Sequence, residues 1–296
     1  MQAKMGLTLM TEKNLTKRAV DLVVISDLHL GTYGCHAKEL LQYLKSIKPK
    51  QVVLNGDIID MWQFKKRYWP KAHMKVIKHI IGWITSGVRV YYITGNHDEM
   101  LRRFTGFQSK KFKIVNKVVL KLGKQKAWFF HGDVFDVTMQ HSKWLTRLGA
   151  VGYDSLILLN SAVNRISGFF GFRKLSLSKK IKESVKSAVK YINNFEETAA
   201  GIAIENKYDY VVCGHIHQPK IKQYRYAKGS VVYLNSGDWI ENLTALEYCN
   251  DNWSIYSYKA EDFEKDPETP IDITDKSNKD IFNELLADFN LMRSQL

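Results

Sequence analysis

Cysteine is scarce in this 296-residue sequence: Cys35, Cys213 and Cys249 are the only three, and they fall in neither CxxC nor zinc-ribbon spacing. A disulfide framework and a thiolate metal cluster are therefore excluded, a reducing compartment fits, and the three thiols read as packing residues. Long apolar runs are missing as well. The longest uncharged apolar stretch near the middle, residues 155–164, stops at Arg165, far short of the roughly 20 residues a membrane-spanning helix needs. The first twenty residues hold Lys4, Glu12, Lys13, Lys17 and Arg18 with no apolar run, so they do not read as a secretion signal and the expected location is cytoplasmic. No internal repeat or low-complexity tract occurs.

Acidic residues are also in deficit over most of the chain. The formal net charge is +14, yet residues 261–296 carry ten acids against four bases, which leaves the first 260 residues at +20. Such an excess attracts polyanions: nucleic acid, an anionic membrane surface or a phosphorylated small molecule. With 45% hydrophobic residues, the chain can bury one substantial core.

What is present is a rhythm of short, β-branched apolar runs: Leu22-Val-Val-Ile25, Gln51-Val-Val-Leu54, Val88-Arg-Val-Tyr-Tyr-Ile93, Ala127-Trp-Phe-Phe130, Tyr210-Val-Val-Cys213 and Val231-Val-Tyr-Leu234. They predict buried strands of an α/β fold. Each is followed by a polar cluster: Ser-Asp-Leu-His (26–29), Asn-Gly-Asp (55–57), Gly-Asn-His-Asp (95–98), His-Gly-Asp (131–133), Gly-His-Ile-His (214–217) and Asn-Ser-Gly-Asp (235–238). In layered α/β folds the carboxyl ends of strands are where ligand-binding loops gather.

A pair of divalent cations needs one carboxylate able to bridge them, with imidazole nitrogens and amide or carboxylate oxygens completing each shell. Asp27, His29, Asp57, Asn96, His131, His215 and His217 supply that inventory. Singly, each has a bland explanation, since an Asp after a strand is often a helix cap and a lone His a satisfied polar residue. Jointly, clusters in this order at successive strand ends point to a metal centre.

The motifs Asp27-Leu-His29, Gly56-Asp57, Gly95-Asn96-His97-Asp98, His131-Gly132-Asp133 and Gly214-His215-Ile216-His217 resemble the calcineurin-like metallophosphoesterase superfamily over about residues 20–250. The resemblance implies a four-layer α-β-β-α sandwich of two mixed sheets. It also implies that Asp27, His29, Asp57 and His217 hold one ion and Asp57, Asn96, His131 and His215 the other, with a metal-bound hydroxide as nucleophile. His97 would then contact the phosphoryl group and protonate or stabilise the leaving oxygen, with Asp98 orienting its ring. The mixed oxygen and nitrogen shell favours Mn²⁺, with Fe or Zn as alternatives.

Within the superfamily, Ile25-Ser-Asp-Leu-His-Leu-Gly31, Gly56-Asp-Ile-Ile-Asp60 followed by Trp62, and Gly237-Asp-Trp239 with Thr244-Ala-Leu246 resemble the UDP-2,3-diacylglucosamine pyrophosphohydrolase branch, which acts in lipid A synthesis. That resemblance implies cleavage of a nucleotide-sugar lipid; the alternative is a nuclease or a soluble phosphodiesterase of the same superfamily. The catalytic domain is expected over 18–260, a helical insertion cap over 138–207 within it, and an acidic tail over 261–296. Ile181, Val185, Ala188, Val189, Ile192 and Phe195 recur at helical steps in the insertion. Residues 160–195 carry eight bases and one acid interleaved with Phe169, Phe170 and Phe172, a mix suited to a peripheral position on the inner face of the cytoplasmic membrane. Lys66, Arg102 and Arg103 are candidate contacts to substrate phosphates.

Overall fold

The structure is a computed structural model and describes residues 17–62, 68–138 and 178–263. One sheet comprises β1 (Arg18–Ile25), β2 (Ile47–Asn55), β3 (Arg89–Ile93), β4 (Phe112–Val115), β10 (Thr244–Cys249) and β11 (Asn252–Ser257), in spatial order β11-β10-β1-β2-β3-β4. The other comprises β5 (Lys117–Leu122), β6 (Gln125–Phe130), β7 (Tyr210–Cys213), β8 (Lys220–Tyr226) and β9 (Gly229–Asn235), in order β5-β6-β7-β9-β8. Strands β1 to β4 are parallel, as are β6, β7 and β9, while β10, β11, β5 and β8 join antiparallel. Both sheets are thus mixed, as the resemblance implied.

Successive side chains of a strand face opposite ways, and here both faces are buried. Leu22 and Val24 of β1 and Val53 of β2 meet Leu120, Phe129, Val212 and Leu234 in a core between the sheets. Their neighbours Val23, Ile25, Val52 and Leu54 face outward onto α1 (Ala37–Ser46) and α2 (Lys71–Thr85). α1 buries Ala37, Leu40, Tyr43 and Leu44, and α2 buries His73, Val76, Ile80, Trp83 and Ile84, each set on one helical stripe. Each fully buried Leu or Val contributes about 1.5–3 kcal/mol.

On the far side of the second sheet lies α4 (Ser178–Glu205), which packs Phe195, Ala199, Ala200, Ala203 and Ile204 on Trp128, Phe130, Val211 and Tyr233. The helical period read over residues 181–195 falls on this helix. Its second half is a structural layer of the sandwich, so this part of the 138–207 segment belongs to the core and completes the order α-β-β-α. A short helix, α3 (Val134–Thr138), precedes the segment. Residues 139–177, which carry most of the expected cap, Lys66, and the tail beyond residue 263 lie outside the described residues. No helix among the described residues is long and apolar enough to cross a membrane.

Candidate metal centre

The loops leaving β1, β2, β3, β6 and β7 meet at one rim of the sandwich. Those after β1 and β2 stay paired, with the N–H of Asp27, His29 and Leu30 donating to the carbonyls of Gly56, Asp57 and Ile58 at 3.0 Å each. Those after β6 and β7 are tied by Gly214 N–H to His131 O at 2.9 Å. Among the bonds that cross between the sheets, His215 N–H donates to Asp27 Oδ2 at 3.2 Å. Asp27, His29, Asp57, His215 and His217 all have φ between 47° and 67°. A non-glycine residue in that region costs about 1–3 kcal/mol, so the surrounding cores hold the backbone in a conformation that these residues disfavour. At Gly95 a Cβ would strike the Asp57 carboxylate and backbone, and at Gly56 it would overlap the His131 ring.

Six of the seven predicted ligands fall into two close groups, and Asn96 lies on the loop whose next residue, His97, donates its N–H to Asp57 Oδ1 at 2.8 Å. Ligand atoms of Asp27, His29 and His217 lie within 4.8 Å of one another, and so do those of Asp57, His131 and His215. Asp57 Oδ2 stands between the groups, 3.9 Å from His29 Nε2 and 3.2 Å from His131 Nε2. Asp27 Oδ1, His29 Nε2, Asn96 Oδ1 and His131 Nε2 are buried without a hydrogen-bond partner. An unpartnered buried polar atom costs about 1–3 kcal/mol, and four of them on the loops of this rim fit the needs of bound cations. The remaining ring nitrogen of His131 contacts Asn55 O at 2.9 Å, which places the proton on Nδ1 and leaves Nε2 as donor to a metal.

The charges fit too. Burial works against Asp27 and Asp57 as anions, yet His217 beside the first and His131 beside the second hold both carboxyls below their usual range. In turn Asp57 pushes His131 well up, and Asp27 pushes His217 up to about 9. Without cations, protons on these imidazoles balance the carboxylates; metal binding displaces them.

The His97 ring is held on three sides. Its Nδ1 lies 3.0 Å from Asp60 Oδ2, the His29 ring stands edge-on at 4.5 Å, and the half-exposed Trp62 ring lies 4.7 Å away. Burial disfavours charge on His97, but the bond to Asp60 and the charges of Asp57 and Asp60 outweigh it and raise its pKa above the ordinary histidine value. The partner expected from sequence, Asp98, is elsewhere. Its buried carboxylate accepts from Ile58 N–H at 3.0 Å, Gly95 N–H at 2.6 Å and Tyr92 OH at 2.6 Å, so it fastens the loop from beneath. Arg102 also differs from expectation: it pairs with Asp133 and reaches toward Gly95 O, bracing two motif loops. Arg103 is exposed.

Sequence reasoning passed over several carboxylates behind the ligands. Asp60 Oδ2 lies 3.6 Å from His29 Nδ1, Asp136 Oδ2 3.0 Å from His215 Nε2 and Asp238 Oδ2 4.0 Å from His217 Nδ1. Asp60 lies three residues past Asp57 and Asp238 ends the polar cluster after β9, so an acid placed at such a strand end was a usable signal.

A rim built this way, on this order of strands, defines a class. Residues 20–219 match the calcineurin-like phosphoesterase family, and the chain belongs to it; it is a metal-dependent phosphoric ester hydrolase. Among curated relatives, the UDP-2,3-diacylglucosamine hydrolase of Blochmanniella pennsylvanica (strain BPEN) is 25% identical over 244 residues, covering 80% of this chain and 95% of its own. That of Wigglesworthia glossinidia brevipalpis is 25% identical over 253 residues, covering 79% and 96%. Among solved structures, Yfce, a phosphoesterase from E. coli, aligns over 80% of this chain and 99% of its own at 14% identity and a TM-score of 0.41.

Proposed function

We propose that this chain is a dinuclear pyrophosphohydrolase that cleaves UDP-2,3-diacylglucosamine or a related nucleotide-sugar lipid. The observation that carries the dinuclear part is the position of Asp57 Oδ2 between two ligand groups. The relatives' names supply the substrate class. Two bound cations, Mn²⁺ for this mixed oxygen and nitrogen donor set, would lower the pKa of water enough to provide a nucleophile near neutral pH and would neutralise phosphate charge. Asp27, His29, Asp57 and His217 would hold one, and Asp57, Asn96, His131 and His215 the other.

The chain's own groups do the rest. With Nδ1 engaged by Asp60, His97 keeps Nε2 for the substrate and can donate a proton there to the leaving phosphate oxygen. Asp60 orients the ring; Asp98 holds the loop that carries it. Arg103, which is exposed, and Lys66, which lies outside the described residues, are the basic groups suited to the substrate's phosphates, while Arg102 serves the scaffold through Asp133. The basic and aromatic stretch over 160–195 would bring the enzyme to an anionic leaflet, and the part of the 138–207 insertion ahead of the core-packed half of α4 would admit the acyl chains within the catalytic domain of 18–260.

The test is hydrolysis by the purified Mn²⁺-loaded chain of UDP-2,3-diacylglucosamine, a small soluble phosphodiester and single-stranded DNA. Release of UMP from the first, well above turnover of the other two, is expected. Preference for DNA with steep salt dependence would replace this reading with a nuclease.

A further inference from the structure

We propose that Asp136 is a positioning residue for His215, and that Tyr191 holds Asp136 in place from the outer helix. The proposal rests on the two-ion reading above. The three side chains form a chain of contacts: Tyr191 OH donates to Asp136 Oδ1 at 2.5 Å, and Asp136 Oδ2 lies 3.0 Å from His215 Nε2. They come from three separate elements. Asp136 is on α3, directly after His131-Gly-Asp133, Tyr191 is on α4, and His215 follows β7.

A carboxylate stands behind His29 and His217 of one site, Asp60 and Asp238, and Asp136 gives His215 of the other site the same kind of partner at the shortest of the three distances. The ion site of Asp27, His29, Asp57 and His217 has two carboxylates among its donors. The site of Asp57, Asn96, His131 and His215 has one, and that one is shared. Asp136 adds the second negative charge one imidazole removed. A carboxylate on the far nitrogen of a ligand histidine fixes its tautomer, aims its ring and raises its basicity. With Nε2 facing Asp136, His215 keeps Nδ1 for the metal. The other histidine of the site is arranged differently, with its far nitrogen on a neutral carbonyl, Asn55 O.

Packing fixes the carboxylate. Phe135, next to Asp136, is buried against Phe130 and Phe195, with ring centroids at 5.5 and 5.3 Å. Phe195, one turn beyond Tyr191 on α4, lies 6.2 Å from the His215 ring and closes over Gly132. His215 itself has φ 67°, so its backbone does not aim the ring without outside restraint.

The experiment is Mn²⁺ titration of the metal-stripped full chain by calorimetry for wild type, Asp136→Asn, Tyr191→Phe and the double variant, with thermal unfolding of each. Wild type should bind two ions. Asp136→Asn should weaken one of them by about 10- to 100-fold and spare the other. Tyr191→Phe should weaken the same ion by less, and the double variant should match Asp136→Asn, because the tyrosine acts through the aspartate. Two ions bound by Asp136→Asn as tightly as by wild type would overturn the proposal, as would additive losses in the double variant. Should Asp136→Asn not fold, Tyr191→Phe decides alone: selective weakening of one ion at unchanged Tm supports the proposal, and unchanged affinities overturn it. A wild type that binds fewer than two ions overturns the dinuclear reading itself and the proposal with it.

Discussion

His97 Nδ1 lies 3.0 Å from Asp60 Oδ2, a carboxylate 37 residues earlier in the chain, while the adjacent Asp98 turns its carboxylate beneath the loop. Asp60→Asn should therefore lower kcat about 10- to 100-fold and, because Asp60 Oδ2 also lies 3.6 Å from His29 Nδ1, weaken the ion that His29 would hold. Steady-state kinetics with metal analysis checks this. Full activity in the variant would remove Asp60 from the orienting role.

Replacing His97 by Ala removes the proton donor itself. The expected loss in kcat is about 10²- to 10⁴-fold at intact metal content. A substrate with a good leaving group should suffer less, as it needs little protonation; equal losses on good and poor leaving groups would make His97 a phosphate contact only.

Asp57→Ala takes away the carboxylate between the two ligand groups. Both ions should be bound far more weakly, and activity should vanish at micromolar Mn²⁺. If elemental analysis after gel filtration still finds two ions per chain, Asp57 does not bridge.

Gly95→Ala places a methyl group against the Asp57 carboxylate and backbone. The loop must shift, at about 1–3 kcal/mol of overpacking, and the shift moves a ligand on each side. The prediction is a lowered Tm together with lost metal stoichiometry. Parental values of both would mean that the loop yields freely.

Chelation should abolish activity without unfolding the chain, because protonated His131 and His217 take over the neutralising of Asp57 and Asp27. Binding at about 100 times Kd stabilises by about 2.7 kcal/mol, so EDTA should lower Tm by several degrees, and Mn²⁺ should restore both Tm and turnover. Collapse of the circular dichroism spectrum in EDTA would instead make the ions structural.

The strands that lead into the site were legible because parallel strands buried on both faces read as unbroken apolar runs, as in Leu22-Val-Val-Ile25. Edge strand β8, Lys220-Ile-Lys-Gln-Tyr-Arg-Tyr226, was not, since it buries little beyond Tyr224 and carries charge along its length. β4, β5, β10 and β11 were likewise not singled out. The His and Asp residues that the fold gathers at the rim were legible from type and order. Their supporting acids were only partly so, because adjacency along the chain favoured Asp98 whereas the fold brings Asp60 to the ring. For α4, periodicity gave a helix but not its destination, since the same apolar stripe suits a cap or a layer of the core.

The bond from His215 N–H to Asp27 Oδ2 runs from one sheet to the other, so the two ligand groups are distributed across a seam rather than set on one rigid body. Each group takes donors from both sheets, so on the two-ion reading the shape of both sites would follow how the sheets are stacked. A side chain deep in that seam, such as Leu246 or Phe129, would then share control of the geometry of the rim. On that reading the site could be retuned from the interior: a methyl group added or removed between the sheets would shift the two sets of loops against each other without replacing any residue of the rim.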